Sequence, residues 1–582
     1  MLKRNINILG LLTLCFILVG CHGDPFAGGR APSTAATLSL SFTQAKAFHF
    51  TWTDVAGADF YKLKEAKTTS SGYSVVNDNM LAVGGANSVD HIVPLFGRLN
   101  AKYILQSCNA AGCTDSAEVF TSTRLAQMGD SIGYLKASNT TAGDTFGTSV
   151  SISGDGNTLA IGTIIEDSGA GAVYVFTRSG KNWSQQAYIQ ASNTAATDKF
   201  GSSVSLSTDG NTLAVGAIGE DSDGSTDSDN SVSGAGAVYI YTRVAASWSQ
   251  QAYLKASNAG YLDVFGRVVS LNTDGNTLVV GASGERSDGT SQGDDSADKA
   301  GAVYVFIRTG VSWAQQAYIK ASNAQTNDGF GMDVSVSADG DTLAVGAYME
   351  ASIATGVGGD DANNDANGAG AVYVYTRSSA TWSQTAYIKA SNTASFDLFG
   401  FNLSLSADGQ TLAVGAWGED SNSTTINGLE TDNSALGAGA VYVFTLSGST
   451  WEQQAYVKAS NAEAADAFGL SVSLSSDGNT LAVGASIEKG DASGFNGAPS
   501  NNAATAAGAA YVLKRSGGVW SQQSYLKASN AGAGDKFGTV VALDANGDTL
   551  AVAAPYEAST AVGVNGDQAN NAATDAGAVY VY

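Results

Sequence analysis

The chain has 582 residues, with 70 Gly against 5 Pro, a 44% hydrophobic fraction and a net charge of −24. That length exceeds one ordinary core unless the fold is a closed β architecture or several domains, and the composition excludes a disordered chain. The acidic balance excludes nucleic acid as a partner and suits a cation or a basic partner.

Lys3 and Arg4 precede an apolar run, Ile8 to Val19, too short to span a bilayer but of signal-peptide length. The run ends in Leu18-Val19-Gly20-Cys21, which resembles the lipobox of bacterial lipoproteins. The resemblance implies cleavage after residue 20 and lipidation of Cys21; a plain secretory signal with an incidental Cys is the alternative. His22 stands where an inner-membrane retention signal has Asp, so an outer-membrane anchor, facing the periplasm or the exterior, is expected. Residues 22–37 read as a flexible tether.

Residues 38–123 hold about seven short apolar runs, from "LSLSF" to "AEVFTS", separated by turns, which predicts a β-sandwich. Trp52 in an early strand, Leu99 four residues before Tyr103, and the Asn109–Gly112 turn resemble a fibronectin type III domain with its tyrosine corner. The resemblance implies a spacer or interaction unit. Cys108 and Cys113 read as a disulfide across a tight loop or as two free buried thiols.

Residues 128–582 are one repeat array. "Y-x-K-A-S-N" begins at Tyr134, Tyr188, Tyr253, Tyr318, Tyr387, Tyr456 and Tyr525, with Gln190 replacing Lys once. Each unit carries four strand-like runs, and an Asp-Gly turn joins the first two, as in the blades of a β-propeller. The array opens on a lone fourth-strand segment near Tyr134 and stops after a third strand at Tyr582. Residues 128–138 are therefore expected to complete the last blade and close a ring of seven. The fold expected is all-β: a seven-bladed propeller, monomeric, preceded by a fibronectin III-like sandwich.

The units resemble FG-GAP repeats, the blades of integrin α-subunit propellers: Phe146-Gly147, Phe200-Gly201, Phe265-Gly266, Phe330-Gly331, Phe399-Gly400, Phe468-Gly469 and Phe537-Gly538 supply the first half. The second half is degenerate, with Gly216-Ala217 lacking the proline. Several integrin blades bind calcium through an Asp-x-Asp-x-Asp-Gly loop, and these hairpins ("SGDGNT", "STDGNT") have too few oxygens for that.

Every unit keeps an Asp two residues before Phe-Gly and a Glu after its second strand. Hairpin arithmetic from the Asp155-Gly156 tip places Asp144 opposite Asp167 and beside Glu166, and from the Asp209-Gly210 tip it places Asp198 opposite Asp221 and beside Glu220. The pairs are Asp144/Glu166, Asp198/Glu220, Asp263/Glu285, Asp328/Glu350, Asp397/Glu419, Asp466/Glu488 and Asp535/Glu557. One reading has the carboxylates fixing loops through backbone N–H bonds; the other has them joining loop oxygens to hold Ca²⁺. Seven copies argue against a catalytic dyad, and the propeller has no His or Cys for zinc, Ser-His-Asp or Cys-His chemistry. The recurrent Trp of "WSQQAY" reads as blade packing. Trp417, in a loop position, is a candidate ligand contact or a packed residue. The expected function is binding of a protein or glycan at the cell surface through the loop face; the alternative is a carboxylate-based glycan-acting enzyme in the propeller channel.

Overall fold

The computed structural model describes residues 30–582 apart from 44–45, 77–80, 83–86, 225 and 227–228. Cys21 and the signal segment lie outside the described residues.

Two antiparallel sheets form the N-terminal unit. One pairs Leu38–Thr43, Ala47–Trp52 and Ser88–Ile92. The other is centred on Phe60–Ala66 and Lys102–Asn109, with Gly112–Asp115 at one edge. The alternating runs bury one side: Phe48, Phe50, Trp52, Tyr61 and Tyr103 share one core. Two departures from the predicted strands have local causes. The "HIVPLF" run stops at Ile92, because Pro94 leads into a single 3₁₀ turn over Leu95–Gly97. The Tyr103 hydroxyl donates to Glu65 Oε1 at 2.6 Å, where Arg98 Nε also arrives at 2.6 Å, instead of returning to the backbone as a tyrosine corner would. Cys108 and Cys113 face each other across the 102–115 hairpin and are disulfide-bonded.

Seven four-stranded sheets follow. The second blade shows the pattern: Phe200–Leu206, Thr212–Ala217, Ala237–Val244 and Ser247–Leu254 pair in sequence order, all antiparallel. The innermost strands touch in succession around the molecule, and Ser149–Ile152 of the first blade meets Val540–Leu543 of the last. The ring is closed. Its last blade takes Gly133–Leu135 as outer strand, paired with Ala578–Val581 (Tyr134 opposite Tyr580), so an N-terminal strand completes a C-terminal sheet.

The repeat sequence dictates this packing. Strands two and three are buried on both faces, as sheets stacked between neighbours require. Phe200 fills the space between blades, edge-on to Tyr239 at 5.3 Å. Gly201 has φ +89°, and its carbonyl lies so near Gly162 of the preceding blade that a Cβ there would clash at 2.1 Å. Serines stitch the inner edges: Leu206, Leu271, Leu405, Leu474 and Leu543 each donate a backbone N–H at 3.0–3.1 Å to a serine Oγ of the preceding blade. Otherwise those strand edges would be bare.

The hairpin register holds, with Val150 opposite Ile161. The turn is longer than two residues: Ser153 N bonds Thr158 O at 2.9 Å, and Asp155 accepts from Ser153 Oγ and Asn157 N. Beyond Ser203, however, a bulge shifts pairing by two residues and sets Phe200 opposite Ala217. Asp198 therefore lies across from Gly219, which donates to its carbonyl at 3.0 Å, and not across from Asp221.

The N-terminal unit packs onto the propeller. Its core is continuous with Phe495, Leu526 and Tyr582 of the last blades. Buried Lys46 reaches the last blade's hairpin, donating to Asp548 O at 2.6 Å and Thr549 Oγ1 at 2.8 Å. Residues 38–123 are thus more closely joined to the ring than a free spacer.

Candidate functional site

All fourteen paired acids are buried, at 7% exposure or less. Burying a carboxylate demands compensation, and the two members of each pair obtain it differently.

Each Asp closes a short loop by accepting the backbone N–H three residues earlier. Asp198 accepts from Ala195, Asp263 from Gly260, Asp328 from Gln325, Asp397 from Ala394, Asp466 from Glu463 and Asp535 from Gly532, at 2.7–2.9 Å. Asp144 takes both the N–H and the hydroxyl of Thr141, each at 2.6 Å. Burial outweighs these bonds and, with the neighbouring Glu charge, lifts Asp198 and Asp263 to about 6 and Asp328, Asp397, Asp466 and Asp535 to about 7.

Each Glu is a junction between two blades. Its Oε2 takes the ammonium of the Lys in its own blade's "Y-x-K-A-S-N": Lys255–Glu220, Lys320–Glu285, Lys389–Glu350, Lys458–Glu419, Lys527–Glu488 and Lys136–Glu557, at 2.7–2.9 Å. Its Oε1 takes the Asn that ends the preceding blade's motif, from Asn193 at 3.4 Å to Asn139 at 2.6 Å. The Tyr of "GAVYVF" locks that Asn in place, as Tyr304 does to Asn258 at 2.6 Å. The motif Tyr adds a further bond, as from Tyr318 to Glu285 at 2.7 Å. Burial lowers the lysine pKa values while the Glu charges raise them.

Blade one breaks the rule. Gln190 stands in place of Lys and turns to Asp167 at 2.6 Å, so among the described residues Glu166 keeps Asn139 and Tyr174 as its side-chain partners. Burial and the Asp144 charge then raise Glu166.

Sequence reasoning placed the acids on one face but missed their lysine, asparagine and tyrosine partners. The signal was available: Lys and Gln vary at one position of an otherwise fixed motif. Among the described residues, no group of three or more His, Cys, Asp or Glu is arranged to hold a metal ion.

Trp248, Trp313, Trp382 and Trp520 tie blade to blade at the outer rim. Trp248 lies over Arg243 at 5.3 Å and donates Nε1 to Gln186 of the preceding blade at 3.0 Å. Trp417 belongs elsewhere. It is half-buried, edge-on to Phe401 at 5.9 Å, and Phe401 is edge-on to Tyr348 at 5.7 Å. Its indole N–H is buried without a partner among the described residues.

Of these aromatics, Phe401 lines the acid-face mouth of the central channel, a cavity of about 420 Å³. The residue after each Phe-Gly lines it, and there the seven repeats diverge. Asp333, one position further on, is an acid no other blade has; burial lifts it to about 7, and it accepts from Leu403 N at 2.7 Å and Asn402 Nδ2 at 2.8 Å. Arg267, two blades from Phe401, lines the same mouth.

The family model described as FG-GAP repeat matches residues 132–176, 183–241, 248–306, 313–375, 382–444, 451–513 and 520–582. No curated protein matches the chain. Among solved structures, oligogalacturonate lyase from Vibrio parahaemolyticus is 10% identical, with a TM-score of 0.39 over 77% of this chain and 92% of that one. The β-propeller domain of the Trilobed protease from Pyrococcus furiosus is 9% identical, with a TM-score of 0.33 over 84% of this chain and 98% of that one. The seven family matches fall one per blade, each spanning the Phe-Gly turn and the buried third strand, and the chain belongs to the FG-GAP repeat family.

Proposed function

We propose that the protein is a non-catalytic binding module of the bacterial envelope, anchored to the outer membrane by lipid on Cys21. In this reading the fibronectin III-like unit, residues 38–123, carries the propeller, which presents its loop face to a protein or glycan. The observation that carries it is the state of the repeated acids: every Asp caps a loop, and six of the seven Glu are paired with a buried Lys. Groups so engaged hold blades together; they are not poised to move protons or to gather a Ca²⁺ ion. What varies between blades is the channel mouth and the loops after the second strands, where partners are recognised in rigid scaffolds.

Asp333 favours a second reading, a glycan-acting enzyme in the channel, because a carboxyl near 7 suits acid–base work. Its bonds to Leu403, Val334 and Asn402 leave it little freedom, so binding ranks first.

The test is to incubate the purified full-length protein with envelope polysaccharides, measuring binding and product release together. Saturable binding without turnover is expected. Turnover abolished by Asp333→Asn would establish the enzyme instead.

A further inference from the structure

We propose that the acid-face mouth of the channel binds a carboxylate-bearing sugar, a hexuronate unit, with Arg267 taking the carboxylate. This rests on the reading of the propeller as a binding module.

The seven positions after Phe-Gly should be equivalent by symmetry, and they divide by chemistry into two arcs. Thr539, Thr148 and Ser202, from adjacent blades, are hydroxylic; Arg267, Met332, Phe401 and Leu470 continue the ring as one cation and three apolar side chains. All are half-buried around one cavity.

Arg267 is the only charge among the seven. Its guanidinium makes no hydrogen bond or ion pair with any described residue, although Asp333 and Tyr348 are near enough to act on its charge. Every other arginine of the blades described above, such as Arg243 and Arg308, is held by side chains or lies over a Trp. A half-buried fork of donors left open calls for a planar acceptor, and a carboxylate is its natural partner.

Two blades on, Phe401, held edge-on by Tyr348 and Trp417, gives an apolar wall that can cover the C–H face of a sugar ring. Across the mouth, Thr148 and Thr539 spend their protons on the carbonyls of Thr145 and Lys536. These oxygens remain acceptors for ligand hydroxyls. A cation, an apolar wall and a hydroxylic wall together match a polyhydroxylated acid. The cavity volume lies within the usual range for small-ligand sites. The net charge of −24 disfavours a long polyanion, which points to an isolated or terminal uronate.

The test is calorimetric titration of the full chain with a glucuronate-terminated trisaccharide, its glucose-terminated counterpart and N-acetylphenylalanine. The uronate should bind at least tenfold more tightly than either. Arg267→Met should remove that preference without changing the melting temperature, Arg267→Lys should restore part of it, and Phe401→Ala should weaken both sugars. Absence of uronate binding, equal binding of the two sugars, unchanged binding by Arg267→Met, or tighter binding of N-acetylphenylalanine would each overturn the proposal. Equal binding of both sugars would leave the binding module standing, whereas uronate turnover would sink the binding module and leave this site standing.

Discussion

Lys389 Nζ lies 2.8 Å from Glu350 Oε2, with both side chains at 1% exposure or less. The pair couples the loop after the second strand to the end of the fourth, and Asn323 of the preceding blade binds the same carboxylate at 3.2 Å. Removing one member of such a pair leaves the other buried and uncompensated. Lys389→Met should therefore cost about 3–5 kcal/mol, and the double change with Glu350→Leu should recover much of it. Calorimetric melting of the single and double variants measures this; a double variant no more stable than the single one would contradict it.

Blade one offers the reverse experiment. Glu166 has no cation partner among the described residues, because Gln190 occupies the lysine position. Gln190→Lys supplies the missing partner and should raise the melting temperature. A fall would show that the short loop of this blade cannot seat the ammonium.

The raised aspartates set the pH profile. Six of them titrate at about 6 or 7 in the fold, against an ordinary 3.8. The folded state thus holds protons that the unfolded chain releases between about pH 4 and 7, and stability falls as pH rises through that window. Lys46 acts above it. Burial first, and Arg178 second, lower it to about 7, so stability recovers as pH rises from about 7 towards 10.5. Melting temperatures should be higher at pH 5 than at pH 7.5; a flat or rising trend over that interval would contradict the buried state of the acids.

The outer strand Gly133–Leu135 closes the ring and carries Lys136, the partner of Glu557. Deleting residues 133–136 from the full chain should lose both, exposing the edge of Ala578–Val581, and should cause aggregation where the intact chain stays monodisperse. Size-exclusion chromatography distinguishes them, and equal behaviour would mean that this strand is dispensable.

Lipidation predicts its own outcome. Cys21→Ser should move the protein from the membrane fraction to the soluble fraction or stall its precursor; unchanged fractionation would rule out the anchor.

Much of the propeller was legible because seven copies of each strand average out local ambiguity. The strand order, the blade count and the strand near Tyr134 all follow from repeat phase. What escaped were effects of single residues on geometry. The bulge at Gly201 shifts register by two, so simple hairpin counting misplaced Asp198 relative to Asp221. The lysine partners lie 35 or 39 residues beyond their Glu in blades two to six and 421 residues before it in the last, distances that no local pattern bridges. The channel mouth was hidden for the opposite reason: Arg267, Met332 and Phe401 are where the repeats differ, and attention to what repeats passes over them.

The central claim is that the acid face is a protein-bonded scaffold and not a bed for calcium. Melting of the full chain in EDTA, and then with Ca²⁺ restored, tests it most directly. The account predicts no change in melting temperature in either step. A large fall in EDTA, reversed by Ca²⁺ in the concentration-dependent manner of a ligand that binds only the folded state, would contradict it.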